Sequence, residues 1–160
     1  MNDPTQNPAP KNPTPRKIKP RSAARMAAVQ ALYQHSMEAT HLPMLLDEFH
    51  RHRLGAEIEE LHFAEAETAF FDDLVTGTIA RRDEIDELLT SKLADGWSLV
   101  RLDKTMLQIL RVGAYELLAR ADVPTAAAIS EYVDVAHAFF DAREAKFVNG
   151  LLDAAAKAVR

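Results

Sequence analysis

The chain has 160 residues, 48% of them hydrophobic, no cysteine and a formal net charge of −5. That length holds one core and is too short for two ordinary domains, while the lack of cysteine excludes disulfides, thiolate metal sites and a cysteine nucleophile and fits a reducing compartment. No apolar run is long enough to span a bilayer and no signal-peptide core opens the chain, so the expectation is a soluble, cytoplasmic protein without membrane contact.

The charge is unevenly placed. Residues 1–25 carry Lys11, Arg16, Lys17, Lys19, Arg21 and Arg25 against Asp3 alone, about +5, which leaves about −10 for the remainder. A basic segment on an acidic body points to a polyanion at the N-terminal end and to something basic elsewhere.

Pro4, Pro8, Pro10, Pro13, Pro15 and Pro20 stand among polar residues. Proline at this density removes backbone donors and disfavours helix at each preceding residue, with little apolar surface to offset the entropy of ordering. Residues 1–20 are therefore expected to be a disordered basic tail, and residues 21–160 a folded domain. The first helix is predicted to open near Arg21 or Ser22, with Ser22 as its N-cap, and to run toward Thr40. Pro43 starts a second, shorter helix through Leu45 and Phe49. Gly55 and the Glu-rich stretch after it read as a connection.

From Ala66 the spacing of Phe70, Phe71, Leu74, Val75, Thr78 and Ile79 predicts a third helix that continues past Asp83 to Leu89, a central strut of roughly six turns. Gly96 suits a left-handed helix terminus. Leu107, Leu110, Ala114 and Leu117 define a fourth helix, with Asp103 in its first turn facing the positive end of the helix dipole. Pro124 stands where the next helix tolerates it. Residues 141–143 separate the last two helices, whose apolar positions (Ile129, Tyr132, Ala136, Phe140, then Phe147, Val148, Leu151, Leu152) recur at three- and four-residue steps. No strand alternation occurs. The fold class is all-α, a compact bundle of about six to seven helices.

The chemistry-bearing residues are sparse. The glycines are isolated, so no phosphate-binding loop exists; the six histidines form no HExxH pattern; the carboxylates from Glu57 to Asp73 read as a solvated face. Nothing asks for a metal, a cofactor or catalysis. Trp97 and Tyr115 read as core or rim aromatics. Phe147 reads either as core or as a ring that stacks on a base beside Lys146. Arg21 and Arg25, four residues apart on one helix, with Arg16, Lys17 and Lys19 just ahead, suit the phosphates of an RNA strand.

VQALYQ (residues 29–34), FDDLVTG (71–77), ILRVGAYELL (109–118), DVP (122–124) and KFVNGLLD (146–153) together resemble the NusB family of transcription antitermination factors. The resemblance runs from Arg21 to the C-terminus. It implies an all-helical bundle of two packed subdomains and a non-enzymatic role. It also implies binding of boxA-type RNA in nascent ribosomal RNA transcripts, together with a ribosomal protein acting as NusE, and indirect contact with other Nus factors and RNA polymerase. Carried onto this chain, the arginine-rich helix opening corresponds to Arg21 and Arg25, with Arg16, Lys17 and Lys19 in the arm ahead. Lys146 and Phe147 correspond to the other RNA-facing patch, and Asp103 and Glu116 are the candidate contacts for the protein partner. The family's Asn in its INEA motif stands as Ser130, and Met106 replaces a charged residue. Two rival readings are the N-terminal module of a ribosomal RNA methyltransferase, whose catalytic half is absent here, and a helical interaction module without RNA. A homodimer remains open.

Overall fold

A computed structural model describes residues 19–53 and 65–160, and every regular element among them is helical. Pro20 lies in the first turn of α1 (Pro20–Glu38), where its missing N–H would be unsatisfied anyway and its fixed φ suits helix entry. The helix thus begins ahead of Ser22, which is not its cap. The Ser22 hydroxyl instead donates to Glu131 Oε2 at 2.7 Å. The helix ends at Ala39, a left-handed residue at φ 50 whose N–H bonds the His35 carbonyl. Next, α2 (Leu42–Glu48), with Pro43 in its first turn, passes into a π-helical turn, Phe49–Arg53.

The predicted central strut is two helices, α3 (Glu65–Ala80) and α4 (Arg82–Lys92), divided at Arg81 with φ −107 and ψ 20. The sequence hides this break because Thr78 and Ile85 are seven residues apart, two turns, so the apolar phase continues across it. The bend lets the fully buried Ile85 and Leu89 pack on α5 (Lys104–Ala119) and α7 (Ala142–Val159). Gly96 has φ 85 in the connection, as its place after a helix suggests.

The central strut is α5. Its Ile109, Leu110, Val112 and Ala114 are fully buried, and α1, α3, α4, α6 (Thr125–Phe139) and α7 all pack against it. These are seven α-helices among the described residues. Asp103 is the N-cap of α5 rather than a first-turn residue, accepting from the backbone N–H of Thr105 at 2.8 Å and of Met106 at 3.1 Å. Losing that acceptor in Asp103→Ala should cost about 1 kcal/mol, read as a lower urea midpoint at unchanged slope. Asp103→Asn, which keeps an acceptor, should stay close to the parent.

Directions matter for the site. Lys104 Nζ meets Met37 Sδ at 3.5 Å at one end of α5 and Arg25 meets Glu116 toward the other, so α1 runs antiparallel to α5. Arg160, at the end of α7, donates to the carbonyls of Leu117, Arg120 and Val123, so α7 runs parallel to α5. No described helix is long and apolar enough to cross a membrane.

Candidate nucleic-acid interface

An alanine stripe on α1 (Ala23, Ala24, Ala27, Ala28, Ala31) lets its backbone approach α3 and α5 closely. That approach decides the fate of the two arginines. Arg25 is 4% exposed, and its guanidinium donates to Glu116 from Nε at 2.9 Å and from Nη2 at 2.6 Å. The Tyr132 hydroxyl donates to the same carboxylate at 2.5 Å, and Glu131 Oε1 lies 3.7 Å from Arg25 Nη1. Burial by itself would lower the Arg25 pKa; the hydrogen bonds and charge of Glu116 outweigh it and hold the guanidinium above its ordinary value. Burial, then the Glu116 charge, pushes the Tyr132 phenol well above its usual range.

Two sequence expectations are corrected here. Glu116, expected at a protein partner, is 0% exposed and presents no surface. Arg25, expected at RNA, has its fork committed to Glu116, a partner 91 residues away that helical spacing cannot reveal. Arg21 does reach the surface. It lies 3.4 Å from Glu67 and 3.7 Å from Asp122, with its guanidinium 4.6 Å from the Phe70 ring centroid. Arg120 shares that ring at 5.2 Å and pairs with Asp73 and Asp122. Lys19 is exposed just ahead of α1. Arg16 and Lys17, like the proline-rich tail, lie outside the described residues, as does the Glu-rich connection.

Lys146 and Phe147 stand in the second turn of α7; Lys146 is exposed and Phe147 half-buried. Phe147 lines a groove of about 700 Å³ together with Trp97, Asp103, Met106 and Phe140, at the N-terminal end of α5. Arg21 sits at the C-terminal end of α5. Sixteen residues of helix separate these ends, about 24 Å. The structure therefore does not join the two cationic patches at one point; a strand that touches both must run the length of α5.

Around the groove the fold gathers cations that sequence reasoning passed over. Lys92, Arg101 and Arg143 line it, all exposed, and Lys146 adjoins Phe147 in sequence. Among the described residues none of these four has a carboxylate within ion-pairing distance, whereas Arg21, Arg25, Arg111 and Arg120 are all paired. Trp97 is 58% exposed at the same place. Its position in an Asp-Gly-Trp-Ser turn was the one available signal. His50 Nε2 lies 2.6 Å from Asp72 Oδ1, and among the described residues no three His, Asp or Glu side chains group to hold a metal ion.

The NusB family model matches residues 22–157. The chain belongs to the NusB family. The transcription antitermination protein NusB of Novosphingobium aromaticivorans is 71% identical over 140 residues, covering 88% of this chain and 95% of that protein. Its counterpart in Sphingopyxis alaskensis is 64% identical over 140 residues, covering 88% and 94%. A crystal structure of antitermination factors NusB and NusE in complex with dsRNA aligns at TM-score 0.72 and 26% identity, over 87% of this chain and 97% of that one. The LRVGAYELL run lies on α5, the strut on which every other long helix of the described residues packs.

Proposed function

We propose that this chain is a transcription antitermination factor. It binds boxA-type single-stranded RNA in nascent ribosomal RNA transcripts together with a ribosomal protein acting as NusE, and so joins other Nus factors on RNA polymerase in the cytoplasm. The observation that carries this reading is the 71% identity, over 88% of the chain, to a transcription antitermination protein. The geometry supports it with cations at both ends of α5: exposed Lys19 and half-buried Arg21 at one, and exposed Lys92, Arg101, Arg143 and Lys146 at the other. The role is one of holding partners, not of chemistry. Arg16 and Lys17, in the basic segment ahead of the helical domain, add phosphate contacts. Arg25 acts on RNA indirectly, by anchoring the helix that presents Arg21. Asp103 is exposed beside the groove and faces the protein partner, while Glu116 serves the core.

The test is a titration of labelled boxA-type RNA with and without the ribosomal protein, at two salt concentrations. The protein alone should bind modestly, and the partner should tighten binding through positive coupling. With about four phosphates neutralised, affinity should fall roughly fifty-fold from about 50 mM to about 200 mM salt, because bound counterions are released. Arg21→Glu should weaken binding at unchanged helicity. Equal affinity with and without the partner would defeat the adaptor reading, and an unaffected Arg21→Glu would remove that residue from the site.

A further inference from the structure

The bend between α3 and α4 opens a second concavity, away from the groove beside Phe147. Helix α3 packs on α1, whereas α4 turns aside to pack on α5 and α7. The wedge left between the end of α1 and the start of α4 is a cleft of about 410 Å³, floored by Gln108 and Arg111 of α5. It has room for a small molecule and shares no residue with the groove.

The floor is polar at a depth where side chains are ordinarily apolar or paired. Gln108 is 3% exposed and its side-chain amide has no hydrogen-bond partner, yet neither amide atom is sealed from solvent. The amide therefore reaches the cleft, a donor and an acceptor that the protein itself leaves unpaired. The neighbours set the chemistry. Arg111 gives its Nε and Nη2 to Asp86, each at 2.8 Å, and keeps Nη1. Arg82, exposed on one wall, has no carboxylate within ion-pairing distance among the described residues, and Asp83 beside it has no cation. On the α1 wall His35 Nδ1 lies 2.9 Å from the Thr40 carbonyl, which can only accept; Nδ1 thus carries the hydrogen and Nε2 of the neutral ring is an open acceptor. The charges balance, two guanidiniums against the carboxylates of Asp83 and Asp86, so a lone anion or cation gains little here. A ligand that carries both signs meets every group.

We propose that this cleft binds a free amino acid as its zwitterion, the carboxylate held by Arg82, Arg111 Nη1 and the Gln108 amide, and the ammonium group by Asp83 and His35 Nε2. None of these residues is placed at RNA, so binding here stands apart from the RNA-binding reading above.

The isotope-labelled full chain is titrated with glycine and L-glutamine, and separately with acetate and methylammonium, each of which carries only one of the two charges. By NMR the amino acids should shift the Gln108 side-chain amide and the His35 ring signals saturably, and the single ions should bind about ten-fold more weakly or worse, having lost a hydrogen bond between charged groups. Gln108→Leu keeps the volume and removes the amide; read at His35, it should weaken L-glutamine about ten-fold while RNA affinity stays that of the parent. Arg82→Gln, at an exposed position where the fold does not depend on the side chain, should weaken it roughly two- to five-fold, read at Gln108. No saturable shift with either amino acid, acetate or methylammonium bound as tightly, or both variants binding like the parent would each overturn the site. RNA affinity lowered by Gln108→Leu at unchanged stability would put the cleft in the path of the strand and overturn the small-ligand assignment as well.

Discussion

Arg25→Met is expected to lower the unfolding free energy by roughly 3–5 kcal/mol, because it leaves the Glu116 carboxylate buried and uncompensated. Glu116 is fully buried, and without Arg25 its remaining donor is the Tyr132 hydroxyl. Methionine keeps much of the stem volume, so the loss reports the charge rather than a cavity. The converse is equally specific. Arg25→Met combined with Glu116→Leu and Tyr132→Phe removes all three polar groups together and should recover most of the stability, since a buried ion pair replaced by packed apolar side chains is often neutral or better. Arg25→Lys should fall between, keeping the charge but losing the two-pronged geometry. Urea unfolding of the four proteins measures this, and a loss under about 1 kcal/mol for Arg25→Met would mean that the pair behaves as a surface contact. The same series separates two causes of weakened RNA binding: the triple variant lacks Arg25 yet keeps α1 docked, so Arg21 should still engage RNA in it.

The second large effect is at Gly77. A Cβ there would lie 2.0 Å from Cζ, 2.1 Å from the hydroxyl oxygen and 2.4 Å from Cε2 of Tyr115. The ring has little room to move: Tyr115 is 5% exposed, and its hydroxyl donates to Asp73 at 2.7 Å. Burial and that hydrogen bond push its pKa up to about 12, so the phenol stays a donor across the ordinary pH range. In Gly77→Ala either α3 parts from α5 or the ring swings off Asp73. Overpacking of this kind costs about 1–3 kcal/mol, and loss of the hydrogen bond adds about 1 kcal/mol. The gain in helix propensity, about 1 kcal/mol, offsets only part of this, so a net loss of roughly 1–3 kcal/mol is expected. Gly150→Ala is the control. It too stands in a helix, but a Cβ there meets nothing within 4 Å, so propensity acts alone and should stabilise by about 1 kcal/mol. Thermal or urea unfolding of both variants decides it; a shift of the same sign in the two would refute the assignment.

That contrast marks the boundary between sequence and structure. Both glycines sit in helical patterns of the same kind, and nothing local distinguishes them; the difference is whether a tyrosine 38 residues further along the chain lies above the Cα. Helix placement was legible because it rests on local physics: apolar steps of three and four, Pro43 and Pro124 at helix starts, Gly96 in a left-handed turn. Local reasoning went astray where two local answers competed. Ser22 is a good cap, yet Pro20 is an equally good first-turn residue and the helix took the earlier start. The apolar phase from Phe70 to Leu89 is unbroken, yet the chain bends at Arg81 because two shorter helices cover the core better than one long rod.

The sequence by itself determined the helical class, most helix boundaries and, through motifs such as KFVNGLLD, the family. Only the tertiary structure decided which charges are available to partners. Arg21 and Arg25 are equivalent in a helical projection of the sequence; docking α1 against α5 buries one with Glu116 and leaves the other at the rim. Lys92, Arg101 and Arg143 are scattered through the chain and become neighbours of Phe147 only because α4, α5 and α7 meet there. A charge is free or spent according to what lies within about 4 Å of it, and that is set by which distant segments pack together rather than by the order of residues along a helix.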